Sequence, residues 1–297
     1  MTRPRILVLG SDGQVGFQLM RTLAPLGEVT GSRLDGAAGL RMDVTDHAGL
    51  EGVLMSVRPK LIVNAVAYTA VDRAEEEPEL ATAINATAVG VLGALAARIG
   101  AAVVHYSTDY VYSGVTGRPW REDDPCAPLN AYGRTKLAGD EALLASGADA
   151  LILRTSWIYD RRGRNFLLTM RRLLAEREKV RVVADQIGAP TWARLVAQAT
   201  ALIVAQTVCE GFCFGERRGV YHLTCDGATS WHGFAEAIRD FTGARCKVIP
   251  VPTTEYPLPA PRPADSRLDN AKLEAAFGVR LPDWHNALRL CLEENGG

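Results

Sequence analysis

The sequence predicts an α/β fold built on a doubly wound parallel sheet. Three observations carry this reading. Short apolar runs alternate with helical patterns through the first half of the chain. Those runs are apolar at consecutive positions, as strands buried on both faces are. The first run leads straight into a glycine-rich turn that opens a helix. Sheets of this kind bind ligands beyond the carboxyl ends of their strands, so the residues that follow each strand are the first candidates for a site.

Residues 5–9 read as the first strand and 14–24 as the first helix. Val29 and its neighbours give a weaker second strand. A helix ends near Arg58-Pro59, and 61–65 form a third strand. Residues 79–99 read as one long Ala-rich helix, 102–106 as a strand, 132–144 as a helix and 150–154 as a strand. The second half is less regular. Helices are expected at 166–177, 194–207, 231–241 and 270–277, and strands at 180–183 and 220–223. Residues 250–263 carry six prolines. They read either as a disordered linker or as a Pro-stiffened ordered loop.

The chain has 297 residues, 47% hydrophobic and 23% charged, enough for one large domain or two closely joined ones. A net charge of −1 provides no long-range field to attract nucleic acid or an anionic membrane, and neither is an expected partner. The apolar run at 6–9 is too short for a signal peptide, and no apolar stretch is read as approaching the roughly 20 residues of a membrane-spanning helix. None of the six cysteines lies in a CxxC pair; Cys209 and Cys213 are spaced to meet on a helix, but a lone pair does not make a zinc site. A reducing cytoplasm fits these features.

Gly10-Ser11-Asp12-Gly13-Gln14-Val15-Gly16 sits between the first strand and the first helix. Small residues there let the backbone turn sharply and approach a pyrophosphate. The helix start offers unpaired N–H groups to that anion. A tight strand–helix turn without ligand is the plainer alternative. At the end of the second strand, where an acidic residue would hold the ribose of NAD, the sequence has Thr30-Gly31-Ser32-Arg33. Arginine suits a 2′-phosphate, which favours NADPH as cofactor with NADH possible; the alternative is a solvated surface arginine. Asp43 either faces an adenine or caps the helix that follows.

Tyr132 and Lys136 are spaced i,i+4 at the start of a predicted helix, on one face. A nearby ammonium lowers the pKa of a phenol, and the phenol then exchanges a proton with a carbonyl or alcohol oxygen. By spacing alone the pair is unremarkable on a surface helix. Ser107 and Thr108 follow the fourth strand, and either hydroxyl is placed to steady charge on a substrate oxygen.

Together these motifs carry a resemblance. The glycine turn, Asn64-Ala65-Val66-Ala67, YSTDYVY at 106–112 and the Tyr132/Lys136 pair resemble the extended short-chain dehydrogenase/reductases. TAVDRAE at 69–75, PLNAY at 128–132, RTSW at 154–157, DQIGAPT at 185–191 and RPADSRL at 262–268 bring the likeness closer, to the dTDP-4-dehydrorhamnose reductase family, across essentially the whole chain. The resemblance implies a Rossmann domain over 1–156 and a smaller C-terminal α/β substrate-binding domain over 157–297, with 180–183 or 220–223 returning to the first sheet. It implies reduction of the 4-keto group of a dTDP-sugar in making a donor for cell-surface polysaccharide.

By position, the resemblance makes Tyr132 the general acid, Lys136 its tuner and ribose anchor, and Thr108 the third catalytic hydroxyl. Gly10, Gly13, Gln14 and Val15 surround the pyrophosphate. Asp43 and Val44 lie by the adenine, and Ala65, Ala67 and Thr69 by the nicotinamide. Thr108, Asp109 and Trp157 match sugar-contacting positions; a core aromatic is the alternative for Trp157. Arg262 and Arg267, at the end of the Pro-rich segment, are candidates for the substrate diphosphate. Some relatives dimerise through magnesium held by glutamates. Here Arg194 stands near one such position, while Glu293 and Glu294 remain, which argues against a metal bridge and leaves monomer or homodimer open. A nucleotide-sugar epimerase or dehydratase and a non-catalytic regulatory subunit are the rival readings.

Overall fold

The computed structural model describes residues 3–36, 39–115 and 117–293, so Glu294 lies outside the described residues. Its centre is a sheet of β1 (Arg5–Leu9), β2 (Glu28–Arg33), β3 (Leu40–Arg41), β4 (Leu61–Asn64), β5 (Ala102–Thr108), β6 (Ala150–Thr155) and a seventh strand, Gly219–His222. The spatial order is Gly219–His222, β6, β5, β4, β1, β2, β3, every neighbouring pair parallel. This is the doubly wound α/β architecture the strand runs predict. The order reverses between β1 and β4, and there the carboxyl ends open a crevice.

The strands are apolar on both faces because both faces are covered. Ile6, Val8, Leu61 and Val63 meet Leu19 of the helix Gln14–Thr22 and its C-cap Leu23, with Val196 and Ala197 of the helix Ala193–Ala205. Leu7, Leu9 and Ile62 meet Leu50 and Leu54 of the helix His47–Val57, and Val89 and Leu92 of Ala88–Ile99. A separate core joins the parallel pair Lys179–Val183 and Lys247–Val251 to the helices Phe166–Glu176, Trp231–Thr242 and Trp284–Glu293. Of the two strands considered for a return to the main sheet, only the one at 219–222 does so, beside β6.

Several expectations are corrected. The helix read over 79–99 starts at Pro78 and is interrupted by a π-helical turn, Ala83–Thr87. Asn85 lies within it: its Oδ1 accepts the Tyr68 N–H at 2.9 Å, and its Nδ2 donates to the Tyr68 carbonyl and to Thr135 Oγ1. The 22-residue run Pro78–Ile99, in which an 18-residue window has mean hydropathy 1.7, does reach membrane-spanning length by composition, contrary to the sequence reading. Its apolar side chains fill the sheet core instead. The Pro-rich segment is an ordered loop: Pro250 and Val251 lie in a strand, and Asn130 Nδ2 donates to the Pro261 carbonyl. Cys209 and Cys213 fall beyond the helix Ala193–Ala205 and are free and exposed.

Candidate active site

The crevice is a cleft of about 580 Å³ at the carboxyl ends of β1, β4, β5 and β6. On one side the glycine turn forms its floor. Gly10 has φ +76°, and a Cβ on Gly16 would stand 2.0 Å from the Gly10 carbonyl oxygen, so both positions require glycine. Gly13 caps the helix Gln14–Thr22 with no side-chain bond, which leaves the first N–H groups open to the cleft. This backbone cradle fits a pyrophosphate. Gly13, Gln14, Val15, Ala65, Ala67 and Thr69 line the cleft. Gly10 shapes the turn from beneath.

Three residues assigned to the adenosine side stand apart from this lining. Arg33 Nη2 donates to Asp35 at 2.8 Å, while its buried Nε has no hydrogen-bond partner. The acid missing at the strand end is thus present two residues on, paired to the arginine. Asp43 accepts from Thr45 N and Oγ1, and those bonds hold its carboxyl below the usual range. The helix that follows is capped by Asp46 instead, and Val44 is buried beside it.

Tyr132, Lys136, Thr108 and Asp109 meet at the centre. The helix Ala131–Ala145 is positioned by its N-cap, Asn130, whose Oδ1 accepts the Gly133 N–H at 2.8 Å. β5 runs to Thr108, two residues beyond the predicted end, so Ser107 and Thr108 are its last residues and point to opposite faces. Ser107 Oγ donates to Asp140 Oδ2 at 2.8 Å, away from the phenol. Thr108 instead lines the cleft together with Tyr132, and its Oγ1 donates to Asp109 Oδ1 at 3.0 Å.

Burial pushes the Tyr132 phenol up to about 12, against a smaller downward pull from the nearby Thr108 hydroxyl. Lys136 faces β5: its Nζ donates to the Tyr106 carbonyl at 2.6 Å and lies 3.1 Å from His105 Nε2. Burial brings the lysine down to about 8, with Asp140 opposing. In the protein without cofactor, burial outweighs any lowering of the phenol by the lysine. The phenol is held protonated at neutral pH, the state a proton donor needs. Asp109 is buried, which pushes its carboxyl up to about 7. Behind these groups Asp140 pairs with Arg154 at 3.2 Å, both buried, and Arg154 Nη1 donates to Tyr112 Oη at 2.8 Å.

Trp157 lines the cleft in a left-handed backbone conformation, φ +46°. Its ring lies flat on Trp231, centroids 3.5 Å apart, and a Cβ on Gly188 would come within 2.5 Å of it. Trp231 went unnoticed in the sequence because it lies in another element, 74 positions away (231 − 157). The segment after Tyr159 was also missed. Gly163 and Arg164 line the cleft, and Asn165 Nδ2 donates to Gln14 Oε1 at 2.8 Å. Arg162 and Arg21 stack on Phe17, each 3.4 Å from its ring centroid. Arg262 and Arg267 do not line the cleft. Arg262 makes a two-pronged pair with Asp72, at 2.6 and 2.8 Å, and Arg267 pairs with Asp265. Among the described residues no group of three His, Cys, Asp or Glu side chains is placed to hold a metal ion. Glu293 pairs with Arg289.

Residues 4–296 match the family model described as the RmlD substrate binding domain. The chain is 46% identical to a dTDP-4-dehydrorhamnose reductase of Burkholderia thailandensis over 98% of both chains. It is 44% identical to one of Escherichia coli K12 over 97% of both. Its structure superposes on a crystal structure of a dTDP-4-dehydrorhamnose reductase from Bacillus anthracis in complex with NADP. The TM-score is 0.89 and the identity 32%, covering 99% of this chain and 100% of that one.

Proposed function

Since the chain belongs to the dTDP-4-dehydrorhamnose reductase family, we propose that it reduces the 4-keto group of dTDP-4-dehydro-L-rhamnose to give dTDP-L-rhamnose, with NADPH as reductant and Tyr132 as proton donor. The observation that carries this reading is the Tyr132 phenol, which shares one cleft with Thr108, Lys136, the glycine turn and Trp157. NADPH, when bound, supplies the hydride.

The chain's own groups account for the rest. The glycine turn and the open helix start, with Gln14 and Val15, hold the pyrophosphate. Ala65, Ala67 and Thr69 line the nicotinamide side, and Asp43 and Val44 the adenine side. Arg33 answers a 2′-phosphate through its guanidinium. At the sugar, the Tyr132 O–H gives its proton to the former keto oxygen, and Thr108 offers that oxygen a second hydrogen bond. Lys136 stabilises the phenolate left behind and anchors a ribose hydroxyl. Trp157 gives the deoxysugar an apolar face, and Asp109 accepts from a sugar hydroxyl. For Arg262 or Arg267 to meet the substrate diphosphate, each has to exchange its carboxylate partner. Residues 1–156 thus serve the cofactor and 157–297 mainly the nucleotide-sugar, in a cytoplasmic route to a polysaccharide precursor.

The test is incubation with enzymatically made dTDP-4-dehydro-L-rhamnose and NADPH. The expected result is dTDP-L-rhamnose, identified by NMR, formed one for one with NADPH oxidised. Tightly retained NAD with an epimerised sugar and no NADPH consumed would replace this reading with an epimerase.

A further inference from the structure

Behind Lys136 lie two buried side chains that the chemistry above does not use. Asn64, the last residue of β4, is 4% exposed, and His105 of β5 is 0% exposed. Asn64 Oδ1 accepts the Val66 N–H at 3.1 Å, which fixes which way its amide points. Its NH₂ group therefore meets His105 Nδ1, 3.1 Å away. A donor facing Nδ1 makes that nitrogen the acceptor. Burial and the neighbouring lysine hold His105 well below its usual pKa, so the ring is neutral and carries one proton. That proton is on Nε2, 3.1 Å from Lys136 Nζ.

The consequence falls on the lysine. An ammonium has three N–H bonds and no lone pair, so it faces Nε2–H as donor against donor. An amine accepts Nε2–H on its lone pair and still donates to the Tyr106 carbonyl. We propose that Asn64 and His105 are a positioning pair that fixes an Nε2–H imidazole behind Lys136 and so favours its amine form. Opposing them is Asp140, one turn on in the same helix, which favours the ammonium. Its carboxylate is in turn shared with Arg154 of β6 and the Ser107 hydroxyl.

The pair's effect on turnover rests on the role proposed for Lys136 beside Tyr132: a proton held less firmly on Nζ is given up at lower pH.

Two measurements decide the pair. In the full chain labelled with ¹⁵N-histidine, His105 should show a bare Nδ1 and a protonated Nε2 at pH 7. The opposite tautomer, or an imidazolium, would overturn the proposal, whether or not the chain reduces a sugar. In Asn64→Asp the new carboxylate accepts from Nδ1–H, so Nε2 becomes an acceptor and the ammonium is favoured. The Lys136 titration, followed by the NMR shift of its labelled Cε, should then rise from about 8 by roughly 1–2 pH units. The high-pH limb of kcat should move with it. An unmoved Lys136 titration in folded Asn64→Asp contradicts the proposal, and if that variant fails to fold, the wild-type tautomer decides.

Discussion

Ser107 and Thr108 are neighbours with nearly the same chemistry, yet strand alternation gives them different work. Thr108 lines the cleft with the Tyr132 phenol, and Ser107 reaches Asp140. Thr108→Val should lower kcat by about 10²-fold, the usual cost of removing one donor from a developing oxyanion. Ser107→Ala should leave kcat within a few-fold of wild type but destabilise the fold by roughly 1–3 kcal/mol, because a buried carboxylate loses a partner. Steady-state kinetics beside urea unfolding separates the two; equal losses of kcat would show that both hydroxyls serve the reaction. The sequence left these two residues open because it shows that a strand ends there without showing where. Trp157 carries the same lesson, since neither its φ of +46° nor its stack on Trp231 has a local sequence signal.

Two elements bring the distant residues together. The π-helical turn at Ala83–Thr87 crosses the helix that carries Tyr132 and Lys136, and a Cβ on Gly139 would stand 2.0 Å from the Asn85 carbonyl oxygen. Gly139→Ala should therefore push the two helices apart and cost roughly 1–3 kcal/mol, read from the urea midpoint. An unchanged midpoint would show that the close approach is not required. The other element is the loop between Tyr159 and Phe166, which leans over the glycine turn. Arg162 there rests on Phe17, with a buried Nη1 lacking a partner and with Arg33 among its charged neighbours. If that nitrogen is kept for a cofactor phosphate, Arg162→Leu should weaken NADPH binding by about 10-fold or more, as loss of a charged hydrogen bond does. The KM for the sugar should hardly change. Fluorescence titration with NADPH checks this, and wild-type affinity would assign Arg162 to packing alone.

Across the whole molecule, the legible parts were those with a local cause. Strands buried on both faces announce themselves as apolar runs, and β1, β4, β5 and β6 follow their runs to within two residues. The glycine turn is legible because Gly10 and Gly16 answer a local steric demand. Tyr132, Lys136 and Thr108 share the cleft because each follows or faces a strand end on one sheet edge. The parts that stayed hidden depend on partners far along the chain. The Arg262–Asp72 pair, the His105–Lys136 contact and the Trp157–Trp231 stack have no periodic signature. The central claim is that Tyr132 delivers the proton while Lys136 and Thr108 attend it, and one comparison tests it most directly. NADPH oxidation by the wild-type chain and by Tyr132→Phe should be measured with saturating dTDP-4-dehydro-L-rhamnose, with NADPH binding checked in both. The account predicts a kcat lower by on the order of 10²-fold or more in the variant, with cofactor affinity kept; a variant that turns over at close to the wild-type rate would contradict it.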